Sequence, residues 1–302
     1  MIEKLMHIVL LLVFPPLMPG VINKTKAFFA GRKGVPLLQA YYDIGKLLRK
    51  SLVISTTTTW IFWAGPIVSL ASVLVAGLLL PLGPFNAPLS FVGDMILFAY
   101  LFGLSRFFTT AAALDTGSAF EGMGAAREVT FALLSEPALF FALLVLAKDA
   151  GSLSLNAMLH GPAAGITVSL IAPFVLIALG LFIIMLAESC RIPIDDPNTH
   201  LELTMIHEVM VLDHSGPLLG LVLYGAAMKL FELGSVVLHL IVPFQTSLAW
   251  LNWILLIVEL LGLSIVVGVI ESIMARLRMQ HVPSLLIGAL LLCGSGFILL
   301  VR

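Results

Sequence analysis

The chain has 302 residues, of which 60% are hydrophobic and 11% charged, with a net charge of −1. A soluble domain carries roughly 25% charged residues; this shortfall, with a mean hydropathy of +1.11, excludes a water-soluble globule and makes lipid the natural solvent. The balanced charge, without any basic aromatic-rich segment, excludes nucleic acid as a partner.

A bilayer needs about 20 apolar residues per helix. In chain order, spans are predicted at 5–22, 55–80, 93–114, 129–147, 163–187, 217–242, 248–270 and 282–300. The expected fold is therefore an all-α integral membrane protein of about eight transmembrane helices, a single transmembrane domain over residues 1–302. The first span follows Lys4, is longer than a signal-peptide core, contains Pro15, Pro16 and Pro19, and lacks a small-residue cleavage site. It is expected to be a retained helix. Residues 51–93 contain no charge at all, whereas the fourth span holds Glu136 and Pro137.

The first loop carries Lys24, Lys26, Arg32, Lys33, Lys46, Arg49 and Lys50, and Arg127, Arg191, Arg276 and Arg278 fall on the same side; Lys4, Lys148 and Arg302 fall on the other. Arg106 and Lys229 lie within spans. This asymmetry places both termini outside the cytoplasm. Within the first loop, Leu37, Tyr41, Ile44 and Leu48 recur at helical spacing, predicting a short amphipathic helix at the interface. Its basic residues either snorkel at the membrane surface or form a ledge for a peripheral partner.

The stretch AESCRIPIDDPNTHLELTMIHE at 187–208 and its continuation through 217 hold Glu188, Asp195, Asp196, Glu202, Glu208 and Asp213 against one base, Arg191. Pro193 and Pro197 predict an irregular turn at 191–198. Thr199 and Glu202 fit a capping box opening a new helix. Closely spaced, buried carboxyls raise one another's pKa, a property that suits proton exchange; a solvated acidic loop against a basic partner is the plainer account. His200, His207 and His214 are spaced by seven and could share a helical face. No HExxH follows, and partner contacts or surface hydrogen bonds are expected of them rather than metal binding.

A second acidic patch, LDTGSAFEGMGAAREV at 114–129, holds Asp115, Glu121, Arg127 and Glu128 among glycines. It is read either as close backbone packing or as a flexible polar loop. Glu136, Lys229, Glu232, His239 and Glu259 fall inside apolar spans, where a charge costs roughly 2.5–3.5 kcal/mol on insertion scales. Lys229 and Glu232 are an i,i+3 pair with His239 two turns on, either a buried ion pair or part of a polar track. Glu259 has no sequence-near partner. Two separated cysteines, Cys190 and Cys293, and no CxxC exclude a cysteine-ligated iron–sulfur cluster or a four-thiolate nickel–iron site held by this chain alone.

The 187–217 stretch resembles the complex I subunit 1 family, in particular the membrane subunit of hydrogenase-4-type, formate hydrogenlyase-like energy-converting [NiFe]-hydrogenase complexes. GRKGVPLLQAYYDIGKLLRKS at 31–51, the patch after the third span and ESIMARLRMQHVP at 271–283 are similar to the corresponding family loops, so the likeness spans nearly the whole chain. It implies an eight-helix anchor in a prokaryotic inner membrane, whose cytoplasmic loops hold a hydrogenase-like large subunit and a small iron–sulfur subunit beside antiporter-like membrane subunits. Iron–sulfur clusters and a nickel–iron centre are then expected on the partners, with no cofactor or metal on this chain.

By motif, Glu188, Arg191, Asp195 and Glu202 match the family's acidic loop; Asp115, Glu121 and Glu128 belong to the loop after the third helix. With Glu136, Lys229, Glu232 and Glu259, these acids form the expected proton path. Arg32, Lys33, Arg191, Asp196, His200, His207, Glu208 and Asp213 are the expected docking residues. Departures from the complex I pattern, with IDDPN in place of an FDLPE-like run and Val35 in place of a proline, favour the hydrogenase branch, which needs no quinone. A quinone-site-forming subunit of an NADH dehydrogenase-like oxidoreductase is the alternative.

Overall fold

The structure is a computed structural model that describes residues 2–160, 168–195, 205–242 and 246–301, without the side chains of 168–170. The helices in chain order are α1 (Ile2–Val13), α2 (Leu17–Phe29), α3 (Gln39–Leu48), α4 (Trp60–Leu79), α5 (Asp94–Asp115), α6 (Ala119–Ala150), α7 (Leu155–Leu159), α8 (Val168–Glu188), α9 (Gly216–Ile241), α10 (Ala249–Ile273) and α11 (Val282–Val301). Seven of the described helices are long and apolar enough to cross a membrane, and α1 with α2 makes an eighth, bent span. The chain is an all-α integral membrane protein.

The first span differs from the single helix expected at 5–22. It breaks into α1 and α2 at an angle of 48°, because Pro15 and Pro16 supply no N–H to the carbonyls one turn before them. The carbonyls at the break find other donors. Tyr224 on α9 donates to Leu12 O at 2.7 Å, and Tyr41 on α3 donates to Val13 O. Helix α3 is the predicted amphipathic helix; none of its residues is fully buried.

The patch at 114–129 is not a flexible loop. Gly117, at φ 71°, makes the only turn there, and α6 then runs 32 residues without interruption, past Pro137. At 1.5 Å per residue α6 is about 48 Å long, well over a hydrocarbon core of about 30 Å. Its first turns therefore stand beyond the apolar layer and carry the acids of the patch.

Small residues set the helix spacing, because neighbouring helices in lipid gain mainly from close contact. A Cβ on Gly65 of α4 would lie 2.5 Å from the Ala112 Cβ of α5, and one on Gly180 of α8 would lie 2.4 Å from the Cys293 Sγ of α11.

Candidate functional site

Helices α5, α6 and α8 meet around Arg106, at the middle of α5. Its guanidinium is 7% exposed and reaches three carboxyls. Nε donates to Glu128 Oε1 at 2.9 Å, one terminal nitrogen donates to Glu136 and the other to Glu188. Ser135 Oγ adds a 3.0 Å hydrogen bond to Glu188. A fixed planar fork can satisfy several carboxylates at once, and a buried cation without such partners would be costly. On α6, Glu121, Glu128 and Glu136 are spaced by seven and eight residues, which keeps them near one helical face over about 22 Å.

His207 joins this buried cluster to the loop after α8. Nε2 lies 3.0 Å from Glu128 Oε2, and Nδ1 lies 3.4 Å from Asp195 Oδ2. A ring with a carboxylate at each nitrogen is satisfied only as an imidazolium. Burial works against that charge, and the Cys190 thiol also faces the ring. Burial pushes that thiol up, so it is neutral. Glu128 and Asp195 then hold His207 well above its ordinary value.

Asp195 receives the backbone N–H groups of Ile206 and His207 at 3.1 and 3.0 Å and Arg276 at 3.0 Å. Burial disfavours its charge, but the His207 hydrogen bonds and Arg276 outweigh this and hold the carboxyl below the usual range. The His207 side chain is 21% exposed, so the imidazole stands between solvent and the buried acids. An unbroken polar chain thus runs Arg276–Asp195–His207–Glu128–Arg106–Glu136/Glu188.

Packing seats the segment that carries His207. A Cβ on Gly124 of α6 would lie 2.4 Å from Val209 Cγ1 and 3.0 Å from Ile206 O. Arg127 donates to Met205 O at 2.8 Å. A second tie holds the membrane-surface ends: Glu271 on α10 pairs with Lys26 at 2.8 Å and with Arg191 at 3.6 Å.

The expected site residues divide accordingly. Glu128, Glu136, Glu188, Asp195 and His207 come together; the Arg191 side chain pairs instead with Glu271, while its carbonyl accepts from Asp195 N at 3.2 Å. Asp115 is elsewhere: it accepts from Thr59 N and Thr59 Oγ1 at 2.6 and 2.7 Å, at the N-terminus of α4. Glu121 is buried against the backbone N–H of Asp213 at 3.0 Å. Lys229 and Glu232 form no ion pair among the described residues, and Glu232 is fully buried with neither oxygen hydrogen-bonded. Glu259 is part-buried on α10, away from the cluster. Arg32, Lys33 and Asp213 are exposed, and Glu208 is part-buried.

His207 and His214 do not share a helical face, because a 3-10 turn at Glu208–Val211 separates them. His214 instead stacks on Phe62 with ring centroids 4.1 Å apart. Asp196, His200 and Glu202, with the helix start expected at Thr199, lie outside the described residues.

Arg106, Arg276, Glu271 and Lys26 were not among the expected site residues. Arg106 alone had a signal, since a lone arginine in an apolar span demands several acceptors.

Among the described residues no His, Cys, Asp and Glu group could hold a metal. The described residues around Glu128, Ser135, Glu188, Ile206 and His207 enclose about 10 Å³. That is room for one water.

The family described as NADH dehydrogenase matches residues 2–302. The chain is similar to hydrogenase-4 component C of Escherichia coli (strain K12), at 33% identity over 283 residues, covering 92% of this chain and 88% of the relative. It is 30% identical to formate hydrogenlyase subunit 4 of the same organism over 289 residues, 92% of each. Its fold matches a chain in the structure of the membrane-bound sulfane sulfur reductase, an archaeal respiratory membrane complex. The TM-score is 0.84 at 21% identity, over 99% of this chain and 98% of that one.

Proposed function

The chain belongs to the NADH dehydrogenase family of complex I subunit 1-like membrane proteins, and from that premise we propose that it anchors a hydrophilic redox arm and couples its electron transfer to proton movement in a hydrogenase-4-type complex. The observation that carries this reading is the unbroken polar chain from Arg276 and Asp195, through the part-exposed His207, to Arg106 in mid-bundle. The two relatives from Escherichia coli are named as components of hydrogenase-type complexes.

Among the described residues this polar chain holds four carboxyls, Glu128, Glu136, Glu188 and Asp195, against two fixed guanidinium charges, Arg106 and Arg276, and one titratable imidazole. With every carboxyl ionised it is negative whether or not His207 is charged. Such a cluster titrates as a unit, and its proton content changes when a neighbouring charge moves. Partner large and small subunits would carry the nickel–iron centre and iron–sulfur clusters and supply that charge change. On this chain, Asp195 holds the loop, His207 passes a proton between the surface and Glu128, and Arg106 distributes the charge to Glu188 and Glu136. Glu202 belongs to this path by motif.

Glu136 is 46% exposed at mid-span, a position that suits an adjoining antiporter-like subunit rather than lipid. Eight spans and the basic loops support an orientation with both termini outside the cytoplasm of a prokaryotic inner membrane; reporter fusions at residues 24–50 should read cytoplasmic.

The central test is Glu128→Gln in the assembled complex in liposomes. Electron transfer should continue while protons moved per electron fall. Unchanged proton movement in that variant overturns the reading.

A further inference from the structure

The polar chain reaches Arg106, about halfway along α5. Its level is marked on α4 by Ser69, whose hydroxyl lies 2.7 Å from that of Ser105. Gly77 is eight residues further along α4, about 12 Å deeper, toward the opposite surface. Two groups that the proposed path does not use converge there.

His7 on α1 is fully buried, and its Nε2 lies 3.0 Å from Gly77 O. A carbonyl only accepts, so Nε2 carries the hydrogen and the neutral ring presents an Nδ1 lone pair. That nitrogen is buried without a partner. Glu232 on α9 is also fully buried, with both oxygens unpartnered. A Cβ on Gly77 would lie 2.8 Å from Glu232 Oε1 and 2.5 Å from Leu11 Cδ1, so the missing side chain is what admits the carboxyl.

An ionised carboxyl with no partner in a closed apolar interior costs several kcal/mol, which its neutral form avoids. Glu232 makes no hydrogen bond that the fold requires, and an apolar residue of its size would pack without that cost. A neutral acid and an unpaired imidazole nitrogen that close on the same glycine, Gly77, are a matched donor and acceptor. Lys229, one turn before Glu232, exerts its charge on both Glu232 and Glu128. Two turns beyond Glu232, His239 contacts Gly83 O at 2.9 Å, and its ring centroid lies 6.2 Å from that of His160.

We propose that Glu232 and His7 are a proton-transfer pair in the half of the bundle away from Arg106, with His239 and His160 between that pair and the far surface. In the transfer, the Glu232 O–H bond breaks and an N–H bond forms on His7 Nδ1, leaving a carboxylate and an imidazolium that both lie against Gly77. No hydrogen bond joins the two at rest, so transfer requires a carboxyl rotation or an intervening water. The pair deepens the proton-coupling role proposed above and rests on it.

The test uses the whole complex in liposomes, with Glu232→Gln, Glu232→Met, His7→Gln and Glu128→Gln. Infrared difference spectra on reduction should show a deuterium-sensitive protonated-carboxyl band that both Glu232 variants lack. The Glu232 variants and His7→Gln should keep electron transfer and lose proton movement; Glu232→Met, which needs no buried partner, covers any failure of Glu232→Gln to assemble. A Glu232→Met spectrum superimposable on wild type, or normal proton movement in Glu232→Met or His7→Gln, overturns the pair. If Glu128→Gln alone loses proton movement, the pair fails and the network reading stands. Normal proton movement in Glu128→Gln removes the network reading itself.

Discussion

Arg106 shows how one side chain sets the electrostatics of its surroundings. Its three carboxyl partners come from α6 and α8, and none has another cation within 4 Å among the described residues except His207 at Glu128. Arg106→Gln leaves uncompensated buried carboxylates and should cost about 3–5 kcal/mol, read as reduced abundance and a lower melting temperature of the solubilised protein. Arg106→Lys should recover little, because a single ammonium cannot serve three directions. His207 gives the site its pH dependence. Its folded value is raised, so its contribution is complete below about 6.5 and is lost as pH climbs through that higher value. Asp195 is depressed, so its contribution is present above about 3.9 and fades as pH falls through its lower folded value. The tie between the loop and α6 should therefore be strongest between these limits and weaken in alkali. Hydrogen exchange of the Ile206 and His207 amides should differ most between wild type and His207→Gln inside that window. An equal difference at alkaline pH would contradict the assignment.

At the scale of elements, α6 is both a span and a rail on which the following loop sits. Its length brings Gly124 and Arg127 under the 205–211 segment, where a missing side chain lets the loop backbone approach. Gly124→Val should force that segment outward at a cost of about 1–3 kcal/mol. A cysteine pair at 128 and 207 should then lose the cross-link it forms on the Gly124 background. The α1/α2 break works the other way: two prolines open the backbone, and tyrosines from α3 and α9 satisfy it. Spans α4, α5, α9, α10 and α11 follow the hydropathy of the sequence closely, because solvation by lipid acts on each helix separately. The break and the length of α6 do not follow it, since each depends on groups supplied from other helices.

For the whole molecule, the surface around Glu136 bears on assembly. A half-exposed carboxyl at mid-span is costly against lipid and acceptable against a polar neighbour. Glu136→Cys should react with an apolar thiol reagent in the isolated subunit and be shielded from it in the assembled complex. Modification at equal rates in both would place no partner there. The same surface logic explains why the exposed Arg32, Lys33 and Asp213 remain docking candidates: they contribute nothing to the internal chain, and their charges face outward.

By itself the sequence determined the membrane class, the number of spans, the amphipathic helix and the family, because composition and apolar run length decide how a segment meets lipid whatever its neighbours are. It also marked the acids at 115–136 and 188–213 as unusual for their setting. Only the tertiary structure decided which of them act together. Glu128, Glu188 and Asp195 are far apart in the chain and meet through Arg106 and His207, while Asp115 is drawn off to Thr59 and Glu232 is sealed against Gly77. Burial and partner choice are properties of helix packing: the same carboxyl is a cap, an ion-pair partner or an isolated acid according to what the neighbouring helix places within about 3 Å of it.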